Sequence, residues 1–219
     1  MIAWIALAGV TGLAGMFLFL FLAKKKELCR VRSSTSPAET RDPLTGLWSR
    51  QAIFGVLEAE VARCLRSDAP LGVLMLDFDH LSRVNEEHGR DAGDMVLAEG
   101  ALRVRNNVRI YDSVGRYGDE EYLVVLPACD EQELENIAER IRMIMERTPV
   151  EWRGQRIQGT VSIGGLTTVS LDEKSADRLV RSANKLVAEA KALGRNRVRI
   201  TEPFELTEES NLELPLDER

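Results

Sequence analysis

One short apolar run constrains the fold of this chain more than any other stretch of its sequence. Residues 71–76 contain only apolar residues, and Asp77-Phe78-Asp79 follows directly. A run of this length without a polar side chain is typical of a strand that is buried in a sheet. Two acids at the end of such a strand are costly to desolvate unless other groups pair with them. The run therefore predicts a buried strand whose acidic end has binding partners.

The segments on either side of this strand alternate between helical and extended patterns. Apolar residues recur at helical spacing in four segments, which are residues 49–66, about 93–108, 131–147 and 175–193. Extended patterns occupy residues 113–117, 122–126, 150–153, 156–163 and 196–200, with Gly118 as the turn between the first two. This alternation, with a hairpin in the middle, predicts an α/β fold in which helices flank a mixed or largely antiparallel sheet.

A longer apolar stretch, residues 2–23, lies at the N-terminus, and Thr11 is its only polar side chain. An α-helix needs about 20 apolar residues to cross a bilayer. No basic residue precedes the stretch, and it is longer than the apolar part of a cleaved signal peptide, which is the alternative interpretation. We therefore expect residues 1–23 to form one transmembrane helix.

A basic segment follows this stretch and sets the expected orientation. Lys24, Lys25 and Lys26 come first, and Arg30 and Arg32 follow shortly after. Basic residues are enriched on the cytoplasmic side of membrane helices. The rest of the chain is therefore expected in the cytoplasm, attached to the inner membrane by a single pass.

A single domain is expected beyond the membrane segment. Residues 24–40 are basic and then rich in Ser, Thr and Pro, which is typical of a linker. Residues 41–200 suit one hydrophobic core, and the acidic residues 201–219 are expected to be mostly disordered. The net charge of -6 argues against a generic nucleic-acid binder. The three cysteines lack the spacing of a zinc site or a disulfide framework.

A second group of acids lies where it can meet the acidic end of the buried strand. Glu120 and Glu121 lie beside the hairpin turn, where they can meet Asp77 on an adjacent strand. Converging carboxylates suit magnesium, a hard ion that prefers oxygen ligands and binds substrate phosphates. Lys191 and Arg195 are four apart and can hold such phosphates. Residue types alone leave open that these are turn acids and a solvated basic pair.

Several collinear blocks of sequence lie between residues 42 and 200. They are Asp42-Pro43-Leu44-Thr45-Gly46-Leu47 with Arg50, Asp77-Phe78-Asp79 with Asn85, Gly89, Gly93 and Asp94, Gly118-Asp119-Glu120-Glu121-Tyr122, Val161-Ser162-Ile163-Gly164, and Ala190-Lys191 with Gly194-Arg195-Asn196. In order and spacing these blocks resemble the GGDEF family of diguanylate cyclases. The resemblance implies a fold similar to the nucleotidyl cyclase and polymerase palm.

The resemblance also implies a reaction. Enzymes of this family join two GTP molecules into cyclic di-GMP, a second messenger, and release pyrophosphate. Each 3′-hydroxyl attacks the α-phosphate of the other nucleotide, so two protomers must face each other as a homodimer. The expected activity is therefore that of a membrane-anchored diguanylate cyclase.

By position in the sequence, three side chains and one backbone carbonyl of this chain correspond to the family's metal ligands and base. Asp77 and Glu121 would bind magnesium together with the Phe78 carbonyl, and two ions are expected per site. Glu120 would assist as a ligand or as a base toward the 3′-hydroxyl.

The family's substrate contacts transfer to five further residues. Asn85 and Asp94 would hydrogen-bond the guanine edge, although side chains of these types beside glycines also serve as turn or helix-cap residues. Lys191 and Arg195 would hold the triphosphate, and Gly118 would lie in the loop beside it.

An inhibitory site for the product is implied as well. Arg109-Ile110-Tyr111-Asp112 resembles the family's R-x-x-D pattern and lies at the usual distance before the signature loop. Arg109 would bind a phosphate or guanine of cyclic di-GMP, and Asp112 would accept hydrogen bonds from a guanine. The alternative is a local ion pair at a surface turn.

The chain departs from the family pattern near the substrate. Asp119 replaces the second glycine of the signature, where a carboxylate adds bulk and negative charge beside the triphosphate. Ser82 replaces a phosphate-binding lysine, for which the neighbouring Arg83 is a partial substitute. Two alternatives to the enzyme therefore stay open. One is an inactive receptor for cyclic di-GMP or GTP, and the other is an interaction protein that keeps only the fold.

Overall fold

The structure is a computed structural model that describes residues 40–67, 69–168 and 175–201. The predicted transmembrane helix, residues 1–23, lies outside these ranges, as do all but the last residue of the predicted linker and all but the first residue of the predicted tail. Among the residues that are described, no helix is both long enough and apolar enough to span a membrane.

The apolar run and the acids after it form the central strand of a five-stranded sheet. The strands of this sheet are β1 (Leu71–Asp79), β2 (Ser113–Arg116), β3 (Glu121–Pro127), β6 (Thr160–Thr168) and β7 (Val198–Thr201). Their order is β2-β3-β1-β6-β7, and every neighbouring pair is antiparallel except β6 and β7. All nine residues of β1 are buried, which confirms the prediction of a buried strand.

Within the described part of the chain, five helices cover the two faces of this sheet. They are α1 (Arg50–Ser67), α2 (Leu81–His88), α3 (Arg90–Asn106), α4 (Glu131–Arg147) and α5 (Ser175–Ala192). Successive side chains of a strand point to opposite faces. Leu74, Leu76 and Phe78 accordingly join one core cluster with α2, α3 and α4, and Val73 and Met75 join another with α1 and α5. The predicted mixed sheet between helices is therefore confirmed.

The sequence patterns missed one helix and placed one strand boundary wrongly. Helix α2 buries only Leu81 and Val84, which is too few apolar residues to show a helical period. The extended pattern over residues 156–163 is two strands, because β5 (Gln155–Ile157) pairs with β4 (Val150–Trp152) in a separate hairpin, while β6 pairs with β1. Strand propensity indicates an extended backbone but not the partner of each segment.

Helix α5 approaches the sheet so closely that one position of β6 has no room for a side chain. A Cβ atom added at Gly164 would lie 2.3 Å from the Ala183 carbonyl oxygen and 2.5 Å from the Val187 nitrogen. Both atoms belong to the backbone of α5, so the helix as a whole would have to shift. The helix that carries Lys191 is therefore seated directly on the sheet through this glycine.

We expect Gly164→Ala to lower the free energy of unfolding by about 2–3 kcal/mol, because the added methyl group overpacks against backbone atoms. Urea unfolding followed by circular dichroism measures the change. Gly55→Ala is the matched control, since a Cβ atom there meets nothing within 4 Å and alanine is the better helix former by about 1 kcal/mol. Equal stability of the two variants would contradict the tight packing of α5.

Candidate active site

The sheet places the predicted acids side by side. Asp77 of β1 is directly opposite Glu121 of β3 on one side and Ser162 of β6 on the other. The Phe78 amide donates a hydrogen bond to the Glu120 carbonyl at 3.1 Å. The Cβ atoms of residues that face each other in an antiparallel pair are about 4.5–5.5 Å apart. Asp77 and Glu121 therefore lie next to each other, as the sequence predicted.

Close acids of this kind carry an electrostatic cost. Burial raises the pKa of Glu120 and of Glu121, and the nearby Asp77 charge raises both further. Burial also raises the pKa of Asp77, against the opposing effect of the Lys191 ammonium. That ammonium belongs to the last turn of α5, and its Nζ lies 2.6 Å from Asp77 Oδ1. Lys191 thus supplies the positive charge that the acidic group requires.

The donor atoms of this group suit magnesium. The described residues include no group of three or more His, Cys, Asp or Glu side chains arranged to hold a metal ion. The carboxylates of Asp77 and Glu121 with the Phe78 carbonyl are nevertheless oxygen donors of the type that magnesium prefers. Two acids that face each other also favour a nearby cation. The set therefore fits magnesium, provided that Lys191 moves away from Asp77 when the ion binds.

The second predicted basic residue acts on the same acid. The positive charge of Arg195 lowers the pKa of Asp77 against the effect of burial. Arg195 is exposed and lies in the turn between α5 and β7, with a φ of 62°. Lys191, in the last turn of α5, and Arg195, in the turn that follows, therefore form one basic group beside the acids, which we call the basic end of α5.

The two predicted guanine contacts come from neighbouring helices. Asn85 lies in α2 and Asp94 in the second turn of α3. The Asn85 side chain lies over Gly93, where an added Cβ atom would be 2.0 Å from Asn85 Oδ1. Neither residue caps a helix, because the N-caps of α2 and α3 are His80 and Gly89. Both residues therefore lie within helices that contact each other, and the Asn85 side chain reaches Gly93, the residue before Asp94.

The backbone of the signature loop does not adopt a conformation that requires glycine at its first two positions. Among the described residues, a positive φ is found neither at Gly118 nor at Asp119. Asp119 is exposed, and its carbonyl accepts a hydrogen bond from Arg116 Nη2 at 2.9 Å. At Gly118, an added Cβ atom would lie 2.3 Å from Glu121 Oε2, so the Glu121 side chain would have to shift. Asp119 therefore changes the charge of this loop without straining its backbone.

A half-buried ion pair holds this loop, and the sequence patterns did not indicate it. Arg116 Nη1 lies 3.2 Å from Asp42 Oδ2. The Thr45 amide and hydroxyl donate to Asp42 Oδ1 at 2.8 and 2.7 Å. Burial works against ionisation of Asp42, but the hydrogen bonds from Thr45 and Arg116 lower its pKa overall. The first sequence block thus holds the arginine that supports Asp119.

Neither Ser82 nor Arg83, which stand in for the expected phosphate-binding lysine, supplies an unpaired positive charge to this group of acids. Ser82 is exposed in α2. The neighbouring Arg83 is also exposed, and its Nε lies 3.6 Å from Glu87 Oε1. Arg83 is therefore engaged with its own helix in this structure.

The predicted inhibitory residues lie together at a separate place. The Arg109 amide donates to Asp112 Oδ2 at 2.7 Å, and the Arg109 guanidinium contacts the Glu133 carboxylate. A cavity of about 500 Å³ is lined by Arg109, Glu133 and Arg140, among others. Burial raises the pKa of Asp112. Arg140 is a further basic residue of this cavity that the short sequence pattern could not include.

Residues 39–197 match the family described as diguanylate cyclase, GGDEF domain. Response regulator PleD of Caulobacter vibrioides is 38% identical over 159 residues, which are 72% of this chain and 35% of PleD. Diguanylate cyclase DgcP of Pseudomonas aeruginosa is 35% identical over 159 residues, which are 73% of this chain and 23% of DgcP. The chain thus spans about a third or less of the length of these relatives.

A solved structure with a similar fold is that of diguanylate cyclase SiaD from Pseudomonas aeruginosa, in complex with its activator SiaC. The TM-score is 0.71 at 28% sequence identity, and the likeness covers 86% of this chain and 70% of SiaD. The predicted palm-like α/β fold is confirmed by this likeness.

We expect Glu121→Gln to stabilise the fold at neutral and alkaline pH. Burial first, and then the Asp77 charge, raises the pKa of Glu121 above its ordinary 4.5. An acid of this kind destabilises the fold while it is ionised, and the effect disappears below its unfolded-state pKa, where both states are neutral. The expected gain in the free energy of unfolding is about 0.5–1 kcal/mol near pH 8, vanishing by about pH 4.

Urea unfolding at several pH values measures this gain. Glu58→Gln in α1 is the control, because Glu58 is exposed and removed from the acids. A gain of the same size in the control, or a gain for Glu121→Gln that does not fall with pH, would contradict the electrostatic cost of the acids.

Proposed function

The chain belongs to the GGDEF family of diguanylate cyclases, and from that premise we propose that it condenses two GTP molecules into cyclic di-GMP. The observation that carries the proposal is the pairing of Asp77 with Glu121 across the sheet, with Lys191 beside them. Acids that repel one another at the end of a buried strand are costly for stability. Such a cost is typical of a site that is retained for chemistry.

Binding of GTP is assigned to two groups of residues. At α2 and α3, the Asp94 carboxylate accepts hydrogen bonds from the guanine N–H groups, and the Asn85 amide hydrogen-bonds the same edge. Lys191 and Arg195 hold the triphosphate at the end of α5, where charge-assisted hydrogen bonds to phosphate are strong. The ion pair between Lys191 and Asp77 opens when the phosphates arrive.

Asp77, Glu121 and the Phe78 carbonyl would hold magnesium, with two ions expected per site. When bound, magnesium supplies Lewis acidity that stabilises the charge developing on the phosphate oxygens. Glu120 receives the proton of the attacking 3′-hydroxyl. Burial and the Asp77 charge raise its pKa, which makes it a better base toward a hydroxyl.

The reaction requires two protomers. In each of two equivalent steps, the 3′-oxygen of one GTP forms a bond to the α-phosphorus of the other, and the bond to pyrophosphate breaks. One protomer presents one nucleotide, so a homodimer with facing sites is needed. Catalysis in each half consists mainly of positioning and charge stabilisation.

Asp119 is compatible with this activity. Its backbone is unstrained and its side chain is exposed, so the loop retains the position of Glu120 and Glu121. The cavity with Arg109 and Arg140 favours a second role, which is product binding. We place cyclic di-GMP as a feedback inhibitor at Arg109 and Asp112, which line an adjoining cavity of about 450 Å³, with Arg140 as a further contact, and the same contacts define the receptor alternative.

Residues 1–23 supply the proposed single-pass anchor in the inner membrane, and residues 41–200 then lie in the cytoplasm. This placement rests on the apolar stretch and the lysines that follow it.

The activity is tested with the full chain in detergent micelles, incubated with GTP and magnesium, with cyclic di-GMP measured by chromatography. We expect product from the wild type and at least a hundredfold lower rate for Glu121→Gln, since one carboxylate ligand is lost. Glu58→Gln is expected to keep the wild-type rate. A wild type that binds cyclic di-GMP but makes none would support the receptor, and recovery of synthesis by Asp119→Gly would assign the inactivity to that residue.

We expect Arg109→Ala and Arg140→Ala each to weaken cyclic di-GMP binding at least tenfold, because a hydrogen bond to a charged group contributes about 1.5–3 kcal/mol. Isothermal titration calorimetry on the full chain measures the affinity. Arg156→Ala is the control, because this arginine is exposed in β5 and pairs only loosely with Glu151 at 3.5 Å. Unchanged affinity in both cavity variants would place the product elsewhere.

A further inference from the structure

The turn between α5 and β7 has a backbone that neighbouring residues must hold in place. Gly194, Arg195 and Asn196 have φ angles of 117°, 62° and 46°. Residues with a Cβ atom rarely adopt such left-handed backbone, and they keep it only where the surrounding structure determines it. The Gly194 and Arg195 amides donate to carbonyl oxygens in the last turn of α5. The turn is therefore an extension of the helix end that carries Lys191.

Asp79 binds the backbone of this turn from the central strand. The Asn196 amide donates to Asp79 Oδ2 at 3.0 Å. The Thr160 hydroxyl donates to the same oxygen at 2.9 Å, and the Ser162 hydroxyl donates to Oδ1 at 2.7 Å. Only 7% of Asp79 is exposed. Both carboxylate oxygens are thus engaged, so the second acid of the Asp77-Phe78-Asp79 block serves a different purpose from the first.

The side chain of Asn196 ties the same turn to helix α4. Its Nδ2 donates to Glu146 Oε1 at 2.7 Å, and its Oδ1 accepts from Arg142 Nη1 at 3.0 Å. Arg142 is itself held by Glu139 and Glu146 at 2.8 and 3.0 Å. Asn196 therefore contacts the sheet through its amide and α4 through its side chain.

We propose that Asp79 and Asn196 are positioning residues that hold the basic end of α5, with Lys191 and Arg195, at the place where the substrate triphosphate binds. Arg195 immediately precedes Asn196, and Lys191 lies in the helical turn whose last carbonyl groups the loop satisfies. Loss of the Asp79 carboxylate or of the Asn196 side chain frees the turn to leave its left-handed conformation. The phosphate-binding charges of Lys191 and Arg195 then lose their common position. This role of Asp79 and Asn196 deepens the proposed function and rests on it.

The side-chain role of Asn196 can be separated from its backbone conformation. Asn196→Gly removes both side-chain hydrogen bonds and still permits a positive φ, whereas Asp79→Ala removes the acceptor for the backbone amide. Asn107→Ala is the control, because the Asn107 side chain also donates a hydrogen bond, 2.9 Å to the Arg103 carbonyl. Asn107 follows α3 at the opposite end of that helix from Asp94.

The test measures binding of GTP, guanosine and inorganic tripolyphosphate to the full-length variants by calorimetry. We expect Asn196→Gly and Asp79→Ala to bind GTP and tripolyphosphate at least tenfold more weakly and guanosine within twofold of wild type. Where synthesis is observed, the KM for GTP should rise more than kcat falls. The Asn107→Ala chain should match wild type in every assay.

Three outcomes overturn the proposal. They are unchanged tripolyphosphate binding in Asn196→Gly, an equal loss of guanosine and GTP binding in the variants, and a wild type that binds no tripolyphosphate. Failure of the proposed reaction is distinguishable from all three. Absent cyclic di-GMP synthesis with normal tripolyphosphate binding overturns only the reaction. Should Asp79→Ala fail to fold, Asn196→Gly decides alone, since its change lies in a half-buried turn.

Discussion

The contact between Asp77, Glu121 and Lys191 is the constraint on which the rest of the structure depends. Two carboxylates face each other at the end of a buried strand, and an ammonium 2.6 Å from one of them offsets their repulsion. The ammonium reaches Asp77 from α5, which packs closely on the sheet at Gly164. The sheet order, the helix cover and the glycine therefore all contribute to bringing these charges together.

Two other buried or half-buried carboxylates hold the loops around this contact. Asp42 binds Arg116, which supports the carbonyl of Asp119, and Asp79 binds the amide of Asn196. A carboxylate that accepts several hydrogen bonds is well suited to fix a turn, because each lost bond leaves an unpaired group. The acids of the site thus divide into those aimed at the reaction centre and those that hold its loops.

Much of the fold and of the site could be predicted from local patterns. The wholly apolar run fixed the position of β1, and helical periods located α1, α4 and α5 to within a few residues. Helix α2 was missed because two buried residues make no period, and Arg140 was missed because it lies far in sequence from Arg109.

The sequence by itself determined the family, the buried strand and the identity of the charged residues, because these depend on residue type and spacing along the chain. Only the tertiary structure decided what each charge contacts. Asp77 and Asp79 are two residues apart and chemically identical, yet one faces Glu121 and Lys191 while the other is surrounded by Thr160, Ser162 and Asn196. Their environments come from residues more than 40 positions away, which no local pattern records.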